Sequence, residues 1–247
     1  MNTVFEEWSI KKRNKLCSLV ILLDPDKIVT AEIDSLFENI EKTNADYIFV
    51  GGSKVSSSQT QNLVAVCKKR SKIPLILFPG DLNQLSLDVN AVLFLSLISG
   101  DNPEYLIGQQ IKAAPLLLKA AIETISTGYI HIDGQNKSSI SKVSKTKPID
   151  PDHEELILNT AQAALLIGMK CIYLEAGSGA KRTVPLPIIQ KISQEINLPL
   201  IVGGGIKTQW QAIEIAKAGA NLIVIGNQFE LNPQEFEALG LALQKIC

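Results

Sequence analysis

The chain has 247 residues, 46% of them apolar, and a formal charge of −1 at pH 7. That length fits one eight-stranded (β/α) barrel, or a smaller doubly wound domain with an extension. The near-neutral charge offers no basic face to nucleic acid, and no polyanionic tail is present.

The opening residues, MNTVFEEWSIKKRNK, contain no apolar signal segment. The longest apolar stretches, such as 91–98, are too short to span a bilayer. A cytoplasmic protein without stable membrane insertion is expected, with a lipid-like substrate still open. The four cysteines, Cys17, Cys67, Cys171 and Cys247, are far apart and form no C-x-x-C, as in a reducing compartment. Cys171 reads as a small core residue. No linker rich in Ser, Pro or Gly splits the chain, so 1–247 reads as one domain.

Apolar, β-branched runs alternate with helical patterns along the chain, which predicts a parallel sheet. The first run, 18–23, leads into Asp24-Pro25-Asp26-Lys27. Two carboxylates and a lysine then stand at a strand's C-terminal end, where barrel enzymes keep their reactive groups. Pro25 keeps Asp24 out of the α region, so the segment is expected to run extended with Asp24 and Asp26 on one face. A hard cation such as Mg2+ takes one or two carboxylates plus phosphate oxygens, although Asp and Pro are also ordinary turn formers. A helix is expected over 30–42, where Ile33, Leu36, Phe37 and Ile40 make an i, i+3, i+4, i+7 stripe. The second run, 47–50, ends in GGSK (51–54). Ser53 offers a hydroxyl suited to a metal-bound diphosphate, or caps a tight turn.

The third run, 74–78, and the fourth, 91–97, are separated by little more than PGDLNQLSLDVN. A helix with its two loops needs at least about 10–12 residues by itself. This segment is also rich in Pro, Gly, Asn and Asp, which are poor helix-interior residues. The third outer helix is therefore expected to be missing or replaced by an extended segment. The apolar strands so uncovered would form a groove for a long hydrocarbon ligand or a protein partner. A neighbouring subunit or a short extended cover would fill the same gap. Leu95, Leu97 and Ile98 are candidates for closing its far end.

The fifth run covers 124–132 and enters an irregular zone, 128–150. Its Lys137, Lys142, Lys145 and Lys147 either close over a charged substrate or belong to a solvated loop. A helix follows over 152–167, with Asp152 as N-cap and Glu155 three residues on, as in a capping box.

Three glycine-bearing strand ends crowd the remaining chain. The run 171–174 leads into Glu175-Ala176-Gly177-Ser178-Gly179, 199–202 into Gly203-Gly204-Gly205, and 221–225 into Gly226-Asn227. Strands that stop at glycine let backbone N–H groups approach an anion, and loops after strands 7 and 8 form the usual phosphate cradle of this architecture. Glu175 stands beside that cradle, placed to accept a hydroxyl proton or to fix the hydroxyl, or else to cap a helix from the surface. Helices are expected over 187–196 and 209–218. A last one over 233–246 would have Asn232 as cap and Pro233 at its first position. The eight runs predict an α/β fold, a (β/α)8 TIM barrel modified at its third outer helix.

Only two histidines, His131 and His153, are present, which argues against a zinc site or a Ser-His-Asp triad. No G-x-G-x-x-G follows strand 1 and no Walker lysine is found. No D-D-x-x-D segment of a helical prenyl elongase is present either.

The motifs LLDPDK (22–27), FVGGS (49–53), GYIHIDG (128–134), YLEAGSGA (173–180), VGGGI (202–206) and IGN (225–227) span nearly the whole chain. In that order they resemble the geranylgeranylglyceryl phosphate synthase / heptaprenylglyceryl phosphate synthase family, and the AGSGA form is similar to its second group. The resemblance implies Mg2+-dependent prenyl transfer. The C3 hydroxyl of sn-glycerol 1-phosphate attacks C1 of a polyprenyl diphosphate, giving an ether and pyrophosphate. It implies that Asp24 and Ser53 hold Mg2+ and the diphosphate. It assigns Tyr173, Leu174, Glu175, Ala176, Gly177, Ser178, Gly179, Gly204, Gly205, Gly226 and Asn227 to glycerol 1-phosphate. Glu175 would orient or deprotonate the attacking hydroxyl, and a homodimer or larger homo-oligomer would form. Some members carry a lysine two residues before the metal aspartate, where this chain has Leu22.

Two rival readings use the same cradle. One is another phosphate-binding barrel enzyme, an isomerase or a flavin-dependent enzyme. The other is a non-catalytic barrel that binds phosphorylated ligands.

Overall fold

The computed structural model describes residues 3–29, 32–52, 56–136 and 138–246. Thr30, Ser53, Lys137 and Cys247, which carry expectations above, lie outside them. Eight parallel strands close a barrel in chain order: β1 (Ser18–Leu23), β2 (Tyr47–Val50), β3 (Leu75–Leu77), β4 (Ala91–Leu97), β5 (Glu123–His131), β6 (Cys171–Glu175), β7 (Leu200–Gly203) and β8 (Leu222–Ile225). β8 pairs with β1 to complete it.

Strand pleating sorts the apolar residues into two layers. Val20, Phe49, Ile76, Leu93, Tyr129, Tyr173, Ile201 and Val224 fill the barrel. Their neighbours, among them Leu19, Ile48, Ile130, Ile172, Val202 and Ile223, face the helices. Both faces of most strands are buried, which is why they read as continuous apolar runs; β5, ETISTGYIH, is more polar, and Phe94 and Leu95 of β4 are half-buried. Cys171 belongs to the inner layer, and burial pushes its thiol up to about 12.

The helices are α1 (Val4–Arg13), α2 (Ile33–Thr43), α3 (Ser57–Arg70), α4 (Gln109–Ala120), α5 (Ser139–Ser144), α6 (Glu154–Ile167), α7 (Leu186–Glu195), α8 (Gln209–Lys217), α9 (Asn227–Leu231) and α10 (Leu239–Gln244). α1 lies outside the expected alternation. A Thr3–Glu6 capping box starts it, and Glu123 at the foot of β5 accepts hydrogen bonds from the Val4 and Phe5 amides at 2.8 and 2.9 Å. Trp8 is fully buried among the inner-layer residues, its ring 5.9 Å from Tyr47 and 6.2 Å from Phe49. The helix therefore plugs the end of the barrel opposite the strands' C-termini.

Between β3 and β4, all of it described, the chain forms only a 3-10 turn, Leu82–Gln84. Gln84 is wholly buried: its Nε2 donates to Gly52 O at 2.7 Å, and its Oε1 accepts from the Gly80 amide at 3.0 Å. One amide side chain thus ties the loops after β2 and β3 where a helix would otherwise pack. Leu77, Leu85 and Val92 meet Ala113 and Leu117 of α4 across the gap.

Two expected helix ends are corrected. α6 is capped by His153, without a side-chain hydrogen bond, rather than by an Asp152–Glu155 box. The Asp150 carboxylate accepts from the Asp152 amide at 3.0 Å, and that turn delays the helix start. The single helix expected over 233–246 is a 3-10 turn, Pro233–Phe236, followed by α10, and Asn232 makes no side-chain cap. The break is tertiary. The Ala238 amide donates to Lys42 O at 2.8 Å, and Gly240 packs directly on Asn44 O at the end of α2.

No helix among the described residues is long and apolar enough to cross a membrane.

Candidate active site

Parallel register brings the ends of β5, β6 and β7 to one level, with His131, Glu175 and Gly203 side by side. Alternation along β6 turns Tyr173 and Glu175 into the barrel and Leu174 outward. Tyr173 stacks on Phe78 at 5.3 Å and meets Tyr129 edge-on at 5.1 Å. These rings form an apolar floor under Glu175.

Glu175 is 6% exposed. Its Oε1 accepts a hydrogen bond from the Gly177 amide at 2.7 Å. Burial drives its pKa up to about 7, with the Gly177 amide and the nearby Tyr173 hydroxyl pulling the other way. That hydroxyl is buried and makes no hydrogen bond of good geometry with the described residues. Gly204 follows at φ +84°, in the left-handed region that favours glycine.

The loops after β6, β8 and β1 are joined by polar contacts. Asn227 Nδ2 donates to Ser178 Oγ at 2.9 Å, and Lys27 Nζ donates to Asn227 Oδ1. Lys27 also lies 3.7 Å from Asp24 Oδ2 and 3.7 Å from Glu230 Oε2. Residues 24–27 form a turn, with the Lys27 amide donating to Asp24 O at 2.9 Å. The expected extended segment is absent, so Asp24 and Asp26 do not share a strand face, yet the turn still brings both to the same cavity. The Asp24 carboxylate accepts from the Asp26 amide at 3.2 Å, and Asp26 Oδ1 accepts from Gln59 Nε2 at 3.1 Å. Partial burial raises the Asp24 pKa, offset in part by the Asp26 amide and Lys27.

These groups open into one cavity of about 710 Å³. Its polar mouth includes Asp24, Lys27, Tyr173, Glu175, Ser178, Gly179, Gly204, Gly205, Gly226 and Asn227. From there it continues past Phe78 into an apolar groove walled by Leu82, Leu85, Phe94 and Leu95 on one side and Ala113 and Leu117 of α4 on the other. The missing helix is what opens this flank. Of the residues expected to close its far end, Leu95 and Leu97 line the cavity and Ile98 does not.

Not every residue of the resembling motifs reaches the mouth. Leu174 and Ala176 are buried in the outer layer. Gly177 contributes its amide to Glu175 rather than a surface of the cavity. Other groups were assigned no site role by the motifs. α5 overhangs the mouth and presents Ile140, Lys142 and Val143 to it, whereas Lys145 and Lys147 lie off the cavity. His131, 1% exposed, meets Ser138 Oγ, the cap of α5, through Nε2 at 3.0 Å. Burial lowers its pKa to about 4, so the ring is neutral near pH 7.

A model of the PcrB family matches residues 9–241. The geranylgeranylglyceryl phosphate synthase of Flavobacterium johnsoniae is 46% identical over 238 residues, covering 96% of this chain and 98% of that protein. That of Zunongwangia profunda is 47% identical over 212 residues, covering 86% and 90%. Among solved structures, the (S)-3-O-geranylgeranylglyceryl phosphate synthase of Thermoplasma acidophilum, in complex with its substrate sn-glycerol-1-phosphate, has a TM-score of 0.92 at 32% identity. It covers 99% of this chain and is itself covered completely. With a family match from residue 9 to 241 and near-complete overlap with these synthases, the chain belongs to the PcrB family.

Proposed function

We propose that this protein is a prenyltransferase that joins sn-glycerol 1-phosphate to a polyprenyl diphosphate, with geranylgeranyl diphosphate the expected donor. The products are a prenylglyceryl phosphate ether and pyrophosphate. One observation carries the reading: a single cavity unites a buried carboxyl and glycine-bearing strand ends with an apolar groove along the barrel's open flank. A phosphorylated triol and an isoprenoid chain need those two environments side by side.

In the reaction the C3 hydroxyl oxygen forms a bond to C1 of the prenyl chain as the C1–diphosphate bond breaks, and the hydroxyl proton leaves. Glu175, in its ionised form, accepts or orients that proton. The loops at Ser178–Gly179, Gly204–Gly205 and Gly226–Asn227 seat the phosphate, so the nucleophile is placed by proximity more than by strong activation. The apolar groove holds the hydrocarbon tail and keeps water from the allylic carbon.

Mg2+ fits this donor set. Asp24 faces the cavity with one carboxylate oxygen in the Asp26 turn and the other directed toward Lys27. Among the described residues, no group of three or more His, Cys, Asp or Glu could hold a metal unaided. A cation shared between Asp24 and diphosphate oxygens suits that supply of ligands. When bound it would stabilise the charge gathering on the leaving diphosphate.

We place the protein in the cytoplasm as a homodimer or larger homo-oligomer. Ile111 and Leu118 on α4 and Leu166 and Ile167 on α6 are more than half exposed, an apolar surface that supports self-association. The direct test offers radiolabelled sn-glycerol 1-phosphate with magnesium and prenyl diphosphates of several lengths. Solvent-extractable labelled ether is expected, and its absence at every length would overturn the reading.

A further inference from the structure

Lys27 stands where the two anionic substrates of that reaction would meet. Its ammonium donates to Asn227 Oδ1 on the side of the glycine-bearing strand ends and lies 3.7 Å from Asp24 Oδ2 on the side assigned to the diphosphate. A third group completes the set, Glu230 Oε2, also at 3.7 Å. Asn227 and Glu230 are three residues apart on α9, so one face of that helix presents both acceptors to the same cation. A lone, partly exposed ion pair would hold a flexible lysine poorly. Three partners, one in its own turn and two on α9, fix where its charge sits.

Glu230 has a further peculiarity. It lines the cavity, yet its second oxygen, Oε1, is buried and has no hydrogen-bond partner among the described residues. A carboxylate oxygen without a partner is costly to bury. The interaction with Lys27 is what the structure offers in return. If Asp24 turns to a metal-bound diphosphate, it relaxes its hold on Lys27, and Glu230 is then the remaining anionic anchor.

We propose that Glu230 is a positioning residue: it holds the Lys27 ammonium at the seam between Asp24 and Asn227, where one cation offsets the repulsion between diphosphate and glycerol phosphate. This inference rests on the reaction proposed above. Like charges brought together in a partly desolvated mouth repel more strongly than in water, and a fixed cation between them relieves that repulsion without reorganising at each turnover.

The test is a double-mutant cycle of Glu230→Gln and Lys27→Ala on the full chain. It is read by calorimetric binding of inorganic pyrophosphate with magnesium chloride and by kcat and KM for both substrates. Glu230→Gln keeps the side chain's shape and removes its charge. It is expected to weaken pyrophosphate binding about fivefold, and to have no further effect once Lys27 is alanine. Lys27→Arg, which keeps the cation, is expected to recover most of the affinity lost in Lys27→Ala. Effects of Glu230→Gln that are equal in both backgrounds, or absent from the wild-type background, would overturn the proposal, as would a wild type that binds no pyrophosphate. Ether formation by a wild type whose cycle is additive sinks the tether alone. A non-additive cycle in a protein that forms no ether sinks the reaction and keeps the tether.

Discussion

Gly204 lies against the carboxylate of Glu175 so closely that a β-carbon there would collide with Oε1 and stand 2.7 Å from the Gly177 amide nitrogen. Neither neighbour can yield cheaply, because the amide is main chain and the carboxylate is held by it at 2.7 Å. Gly204→Ala would also force alanine to φ +84°. It is expected to cost about 1–3 kcal/mol of stability and to remove most activity by displacing Glu175. Urea unfolding and kcat/KM together check this; an active, equally stable variant would refute the packing argument.

Burial gives Glu175 a pKa of about 7, so a role as base makes the rate pH-dependent. The ionised fraction, and with it kcat, should rise as pH passes upward through about 7 and then level off. Glu175→Gln should lower kcat by about 10²–10⁴-fold with little change in substrate affinity, and should erase that limb. A raised folded-state carboxyl pKa favours folding most when the group is protonated. Its contribution is therefore full below the usual carboxylate range, declines as pH rises, and is lost above about 7. A variant with near-normal turnover, or one that retains the limb, would remove Glu175 from this role.

Asp24→Asn keeps the turn's shape but withdraws the charge facing the side of the mouth proposed for the diphosphate. It is expected to abolish the magnesium response together with activity, or to move half-saturation upward by about tenfold or more. Titrating MgCl2 against product formation, and against pyrophosphate binding, measures both. A metal titration that is unaltered in the variant contradicts the assignment.

Trp8 lies at the opposite end of the barrel from the mouth, fully buried by Tyr47 and Phe49. Trp8→Ala should destabilise the fold by about 3–5 kcal/mol while leaving KM for both substrates nearly unchanged in the folded fraction. Denaturant midpoints and kinetics at low temperature separate the two effects. A large KM change would show that the plug is coupled to the mouth.

Most of the eight strands were legible because they are buried on both faces and so announce themselves as apolar runs, while the more polar β5 was legible from its β-branched Thr124, Ile125 and Thr127 and its apolar end at Tyr129 and Ile130. The absent helix was legible from arithmetic, since the residues after Pro79 are too few and too rich in turn formers. Contacts from elsewhere in the chain were not. Lys42 O and Asn44 O break the last helix at Ala238 and Gly240, and no local pattern around those residues announces it. The DPDK segment was read as extended from Pro25, but the Asp24 carbonyl and carboxylate fold it into a turn. In the site, the contiguous motif at 173–179 hid a consequence of the pleat: Tyr173 and Glu175 face the cavity while Leu174 faces the helices. Gln84 and Glu230 stood in no motif, and their importance appears only when loops distant in sequence meet.

The Gln84 bridge makes the open flank mechanically independent of a covering helix. The walls that would gauge the hydrocarbon tail come from 77–95 and α4, whereas the groups that would grip the charged end come from β1, β6, β7 and β8. Substitutions along the first set can therefore retune how long a chain is admitted without disturbing the chemistry at the other end, leaving the two preferences free to evolve apart.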